Sequence, residues 1–239
     1  MGPLLLLLTR SPRRQHTWPR PVSATLRAMG TVRSVCVFCG SRPGSDPVFL
    51  QAAAELGAAL AKRGLTLVYG GAKVGLMGAL ADAALAEGGR VVGIIPKSLV
   101  SKEIAHDGLA ELYLTESMHE RKERMILLSD AFVSMPGGFG TYDELFEVLT
   151  LAQIGLHDKP SGFLNVKGYF DPLLTLLEHT ITYSFAAPQH AKLYVSSPNV
   201  DHLLDDVIAW TPPPLGEKWI DRRAVVAAAG NEEREEKKK

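Results

Sequence analysis

From Arg33 onward one pattern recurs along the chain: a short run rich in valine, isoleucine, leucine or aromatic residues, a turn signal, then a stretch whose apolar positions follow a helical period. The runs "RSVCVF", "LTLVY", "RVVGII", "ELYL", "AFVSM", "GFLNV" and "KLYVS" read as strands. Between them the pattern predicts helices near residues 46–63, 75–87, 117–128, 141–153, 168–182 and 199–209. Parallel neighbours need a crossover connection and a parallel sheet is seldom left uncovered, so the alternation predicts a doubly wound α/β fold. We expect a mainly parallel sheet of about seven strands with helices on both faces, in a single domain spanning about residues 30–210.

The two ends break this pattern. Residues 1–28 hold one short apolar run, Leu4 to Leu8, followed by arginines, prolines and serines with no strand or helical period. Residues 1–29 therefore read as a disordered leader or a presequence. The positive charge follows the apolar run, which is shorter than the roughly 7–15 residues of a secretory signal, and this argues against secretion. An arginine-rich, acid-free leader suits organelle targeting; equally, Met29 stands just before the first strand as a candidate start of the domain. The expected location is cytoplasmic, with organelle targeting as the alternative. No later segment approaches the roughly 20 continuous apolar residues of a membrane span. "WTPPPLG" closes the pattern, and residues 211–239 read as a proline-rich and charged tail whose alanine-rich part is at most a peripheral helix.

Composition adds further exclusions. At 239 residues and 46% hydrophobic content the chain has ample material for a buried core. Lysine and arginine number 26, as do aspartate and glutamate, but five arginines (Arg10, Arg13, Arg14, Arg20 and Arg27) fall in the leader. The remainder carries 21 basic against 26 acidic groups, so neither nucleic acid nor a membrane surface is an expected partner. The only cysteines, Cys36 and Cys39, form a C-x-x-C inside a β-branched run, where residues three apart point to opposite faces. That placement argues against a redox pair. The seven histidines show no metal-ligand spacing.

Chemistry in such a sheet belongs in the strand-to-helix turns, where backbone N–H groups at helix N-termini attract anions. Three of these turns are glycine-rich: "CGSRPGSD" (39–46), "YGGAKVGLMG" (69–78) and "MPGGFGTYDE" (135–144). Glycine is needed where backbone approaches a phosphate closely or adopts positive φ, although it also simply makes tight turns. Three such turns along one sheet edge suggest a phosphorylated ligand, with Ser41 of the first and Gly71 of the second as candidate contacts. Neither the G-x-G-x-x-G of a dinucleotide site nor a G-x-x-x-x-G-K-[ST] phosphate loop is present, which favours a smaller phosphate ester.

In the third turn, Gly137, Gly138 and Gly140 leave several N–H groups open at the start of the next helix. Thr141 and Glu144 have the spacing of a T-x-x-E capping box, and Glu144 is equally well spaced to face a sugar joined to a phosphate bound at the turn. Upstream, Ser117 and Glu120 predict a second capping box. Arg121 falls on a stripe with Met118, Met125 and Leu128, where a guanidinium needs an anionic partner, either an internal carboxylate or the ligand.

"PGGFGTYDE" (136–144) resembles the P-G-G-x-G-T-x-x-E motif of the LONELY GUY family, the cytokinin riboside 5′-monophosphate phosphoribohydrolases. "CVFCGSRPG", "GLTLVYGGAKVGLMGALADAAL", "GRVVGIIPKSL", "SMHERKERM" and "GFLNVKGYFDPLL" resemble it in order and spacing, over about residues 33–210. The resemblance implies a Rossmann-like fold, a homodimer, and metal-free, cofactor-free hydrolysis of an N6-modified AMP to free cytokinin and ribose 5-phosphate. It gives no support for a pyridoxal phosphate lysine, although homologues are often labelled lysine decarboxylase-like.

Transferred position by position, the resemblance implies Arg121 and Glu144 as the catalytic pair. Glu103, Lys122, Gly138, Phe139, Gly140, Thr141 and Thr150 become substrate-binding positions, with Tyr142 and Asp143 filling the variable places of the motif. Glu144 beside C1′ would stabilise the developing ribose cation and deprotonate water, while the Gly138–Thr141 turn holds the 5′-phosphate. A broader nucleoside 5′-monophosphate nucleosidase and a non-catalytic nucleotide or cofactor carrier are the alternatives.

Overall fold

The computed structural model describes residues 32–100, 105–109 and 111–215. The leader, Glu103 and the alanine-rich segment after residue 215 lie outside the described residues. Seven strands, β1 (Ser34–Phe38), β2 (Thr66–Tyr69), β3 (Val91–Pro96), β4 (Glu111–Thr115), β5 (Ala131–Ser134), β6 (Ser161–Leu164) and β7 (Tyr194–Ser197), form one sheet in the order β4-β3-β2-β1-β5-β6-β7. Every pairing in it is parallel. Six helices are described: α1 (Pro47–Lys62), α2 (Gly75–Ala86), α3 (Met118–Leu127), α4 (Phe139–Gln153), α5 (Asp171–Thr182) and α6 (Val200–Ala209).

The period-2 alternation of the strands explains the layering. Val35, Val37, Leu67, Tyr69, Ala131 and Val133 face α1, α2 and α6, while Cys36, Phe38, Val68 and Phe132 face α3 and α4. Cys36 and Cys39 accordingly fall in opposite cores, both as free thiols. The chain winds outward from β1 to β4, then restarts at β5 on the other side of β1. That reversal puts the turns after β1 and β5 side by side, which is where open α/β sheets bind ligands.

Some boundaries differ from the sequence pattern, with local causes. Gly138 (φ −96°, ψ −157°) is the N-cap of α4, so the helix begins at Phe139 and Thr141 sits inside its first turn. Glu144 is therefore not the return arm of a capping box. At α3 the Ser117 hydroxyl accepts from the Glu120 N–H at 3.1 Å, but the Glu120 carboxylate accepts from the Glu116 N–H rather than from that of Ser117. The helix expected over residues 168–182 is divided: Val166–Gly168 is a 3₁₀ turn with Lys167 (φ 53°) and Gly168 (φ 70°) in the left-handed region, and α5 starts afresh at Asp171. A second 3₁₀ turn, Pro188–Lys192, delays β7 to Tyr194.

Candidate active site

The three glycine-rich turns meet at the reversal point. The Gly40 N–H donates to the Pro136 carbonyl at 3.1 Å, and the Leu76 N–H at the start of α2 donates to the Gly40 carbonyl at 3.1 Å. Two close approaches seal the junction. A β carbon on Gly40 would come within 3.3 Å of the Gly137 Cα, and one on Gly75 (φ 58°) would collide with the Ser41 backbone.

Glycine serves different purposes along the third turn. A β carbon on Gly137 would overlap the Thr141 hydroxyl, so the fold itself requires glycine there. A β carbon on Gly138 or Gly140 would meet no neighbouring group within 4 Å. Both sit at the N-terminus of α4, where no side chain caps the exposed N–H groups, whereas α1, α3 and α6 are capped by Asp46, Ser117 and Asn199. An open, uncapped helix start of this kind attracts an anion. Gly71 answers to packing instead: it has φ 78° and abuts Ile94 and Ile95 of β3. Ser41 is exposed in the first turn.

Arg121 is buried on α3, with Met125 beneath it, while Met118 and Leu128 of the same stripe are exposed. Its Nε donates to the Ile94 carbonyl at 3.1 Å and its Nη2 to the Gly70 carbonyl at 3.2 Å. Its Nη1 stands 3.8 Å from Glu144 Oε1 on α4, an ion pair longer than a direct hydrogen bond. Gly70 makes the arrangement possible, since a β carbon there would strike Arg121 Nη2 and approach Met77 Sδ to 2.8 Å. The sequence pattern singled out Arg121 but neither Gly70 nor the Ile94 carbonyl as its partners. Burial pushes the nearby Cys39 thiol up, the Glu144 charge adds to this, and Arg121 works against it. A buried guanidinium fixed by two backbone carbonyls, one within β3 and one just after β2, is a rigid cationic neighbour for that carboxylate.

Lys122 projects differently. Its Nζ lies 2.9 Å from Asp143 Oδ2 and 2.9 Å from Glu147 Oε2. Burial pulls its pKa down, but the two carboxylates outweigh this and leave it raised. Lys122, Tyr142, Asp143, Phe146, Glu147, Thr150 and Leu151 line a concavity of about 390 Å³ on the outer side of α4. Thr141, Glu144, Leu145 and Val148 are buried on the inner side. The structure thus groups Arg121, Glu144 and the glycine turn on one side of α4 and Lys122, Asp143 and Thr150 on the other. Phe139, at the first position of α4, is 93% exposed. Among the described residues no group of three or more His, Cys, Asp or Glu side chains is placed to hold a metal ion, and no helix is long and apolar enough to cross a membrane.

The parallel doubly wound sheet defines an α/β protein of the Rossmann-like class, with the uncapped start of α4 and the buried Arg–Glu pair at its reversal point as the candidate site. Residues 77–207 match the family model described as "Possible lysine decarboxylase". A probable cytokinin riboside 5′-monophosphate phosphoribohydrolase of Oryza sativa subsp. japonica is 44% identical over 182 residues, covering 76% of this chain and 74% of the relative. A cytokinin riboside 5′-monophosphate phosphoribohydrolase of Arabidopsis thaliana is 44% identical over 180 residues, covering 75% and 79%. The chain belongs to this family, the LONELY GUY family. The molybdenum cofactor carrier protein of Chlamydomonas reinhardtii shares the fold, with a TM-score of 0.57 at 21% identity over 74% of this chain and 98% of the carrier. So does the molybdenum cofactor binding protein of Rippkaea orientalis, with a TM-score of 0.52 at 23% identity over 74% of this chain and 97% of that protein.

Proposed function

We propose that this chain hydrolyses the N-glycosidic bond of a nucleoside 5′-monophosphate, with N6-modified AMP as the preferred substrate and free cytokinin and ribose 5-phosphate as products. The observation that carries the reading is the Arg121–Glu144 pair beside the open, uncapped start of α4. The names of the curated relatives point to the same reaction.

In this reading the 5′-phosphate sits on the N–H groups of the Gly138–Thr141 turn, where helix dipole and open space favour it. Glu144 follows five residues after Phe139, about 7.5 Å along the helix axis, a separation that suits the ribose bridging phosphate and glycosidic carbon. As the C1′–N bond breaks and positive charge develops on the sugar, the Glu144 carboxylate stabilises it and takes a proton from the attacking water. The water oxygen bonds to C1′, the bond's electron pair leaves with the base, and the base takes up a proton. A guanidinium is a poor proton donor, so the role of Arg121 is to hold Glu144 in place.

Lys122, Tyr142, Asp143 and Thr150 remain candidate substrate positions on the outer side of α4, and Glu103, outside the described residues, remains one on the family resemblance alone. Exposed Phe139, Phe146, Ile154 and Leu156 suit that side to a second copy, as in the homodimer that the family resemblance implies. The test is release of base from N6-isopentenyl-AMP, its unphosphorylated riboside, AMP, GMP, CMP and UMP. We expect preferential cleavage of isopentenyl-AMP and little from the riboside. Equal cleavage of AMP or CMP would replace the specific reading with general nucleotide breakdown. Binding without release from any substrate would leave a carrier.

A further inference from the structure

We propose that Tyr142 and Tyr169 form a hydroxyl relay that aims the Gly138 N–H group at the substrate phosphate, which makes Tyr169 a positioning residue. The inference rests on the phosphate seat described above. The Tyr142 hydroxyl donates to the Tyr169 hydroxyl at 3.1 Å, and the Tyr169 hydroxyl donates in turn to the Gly137 carbonyl. In a trans peptide the carbonyl of one residue and the N–H of the next point in opposite directions. Tethering the Gly137 carbonyl to Tyr169 therefore turns the Gly138 N–H the other way. Gly138 itself borders open space, with nothing within 4 Å of its missing β carbon.

The preceding peptide is held as well, because the Pro136 carbonyl accepts from the Gly40 N–H. With two successive carbonyls anchored, the turn cannot flip its N–H groups inward when no anion is bound. A chain of hydrogen bonds ending on a carbonyl also polarises that peptide group and strengthens its N–H as a donor. Burial, with the Tyr169 contact added, pushes Tyr142 up to about 12, so it stays protonated as the first donor across the physiological range.

Tyr169 is itself aimed. Its ring stands edge-on to Phe49 (6.1 Å, 77°) and to Phe170 (5.2 Å, 86°). The backbone reaches it through two successive left-handed residues, Lys167 and Gly168, an expensive conformation for lysine. Lys167 Nζ is tied at 2.7 Å to Asp46, the cap of α1, and the Phe170 N–H donates to Asn165 Oδ1 at 2.7 Å. The sequence pattern gives no hint of the relay, because its two ends lie 27 residues apart and meet only through this turn.

The experiment compares wild type, Tyr169→Phe and Tyr142→Phe in the full chain. It measures the Kd of ribose 5-phosphate and of inorganic phosphate by calorimetry, together with KM and kcat for isopentenyl-AMP. Tyr169→Phe should weaken both phosphate ligands about three- to tenfold, the worth of one hydrogen bond, and raise KM more than it lowers kcat. Tyr142→Phe leaves the Gly137 bond in place and should shift the same quantities in the same direction by less. If Tyr169→Phe does not fold, Tyr142→Phe decides alone. Wild-type phosphate affinity in the folded variants overturns the relay. A wild-type chain that binds neither phosphate ligand overturns the phosphate seat and the relay together.

Discussion

Arg121 Nη1 and Glu144 Oε1 stand 3.8 Å apart with their side chains only 8% and 10% exposed, each delivered by a different helix. The guanidinium gives two of its donors to the backbone carbonyls of Ile94 and Gly70 and faces the carboxylate with a third group. Such a pair is costly to bury and costly to break, so its members should be separable by substitution into chemistry and architecture.

Glu144→Gln keeps size and removes charge. The expected result is a loss of about 10²- to 10⁴-fold in kcat, with ribose 5-phosphate binding little changed. Single-turnover assays and calorimetry on the same preparation check both halves. A variant that retains more than a tenth of wild-type turnover would remove Glu144 from the reaction.

Arg121→Lys should behave as a disruptive change, since an ammonium cannot span the Gly70 and Ile94 carbonyls together with the carboxylate. Gly70→Ala approaches the same arrangement from the other side by filling the space of Nη2. Both should lower Tm and activity together, with stability losses of about 1–3 kcal/mol from displaced buried polar groups. Denaturant titration beside kcat/KM shows whether the two losses track each other.

The glycines of the third turn should divide sharply. Gly140→Ala puts a helix-favouring residue into open space and should stabilise the fold by about 0.5–1 kcal/mol. The same methyl intrudes on the phosphate seat, so KM for the nucleotide should rise about tenfold or more. Gly137→Ala, which meets the Thr141 hydroxyl, should instead destabilise the fold. Thermal melts paired with KM determinations read both effects.

His157 predicts an acid limb that belongs to the fold and not to the chemistry. Burial, and next the Lys159 charge, pull its pKa down to about 4. Its Nε2 bonds to the Val148 carbonyl at 3.0 Å, and the Lys159 N–H donates to its Nδ1 at 3.2 Å. The unfolded chain takes up the proton near pH 6.5 while the folded chain resists, so stability falls as pH drops from about 6.5 toward 4. The full effect is about 3 kcal/mol. In His157→Gln the Tm difference between pH 7.5 and pH 4.5 should shrink, at the price of a lower Tm at pH 7.5.

The strands, their parallel pairing and the two covered faces were legible because alternating apolar runs and helical periods are local properties of the chain. Arg121 was legible for the same reason, standing among apolar neighbours at helical spacing. The start of α4 was not: T-x-x-E points to Thr141, but the extended backbone of Gly138 takes the cap, just after a Pro136 carbonyl that is held by Gly40 from another turn. The partners of Lys122 were not legible either, because Asp143 and Glu147, four residues apart, reach its ammonium from a different helix. Tyr169 carries no sequence signal, because the role proposed for it depends on Lys167 adopting a left-handed conformation, which no propensity favours.

The three turns at the reversal point are joined through main-chain atoms: Gly40 to Pro136 and Leu76 to Gly40. Main-chain bonds are blind to the side chains that branch from them. Exposed neighbours such as Ser41 and Arg42 can therefore be exchanged without loosening the junction. On the proposed reading, a lineage that inherits this junction can change which molecule it accepts by editing the rim, while the backbone geometry at the start of α4 is passed on intact.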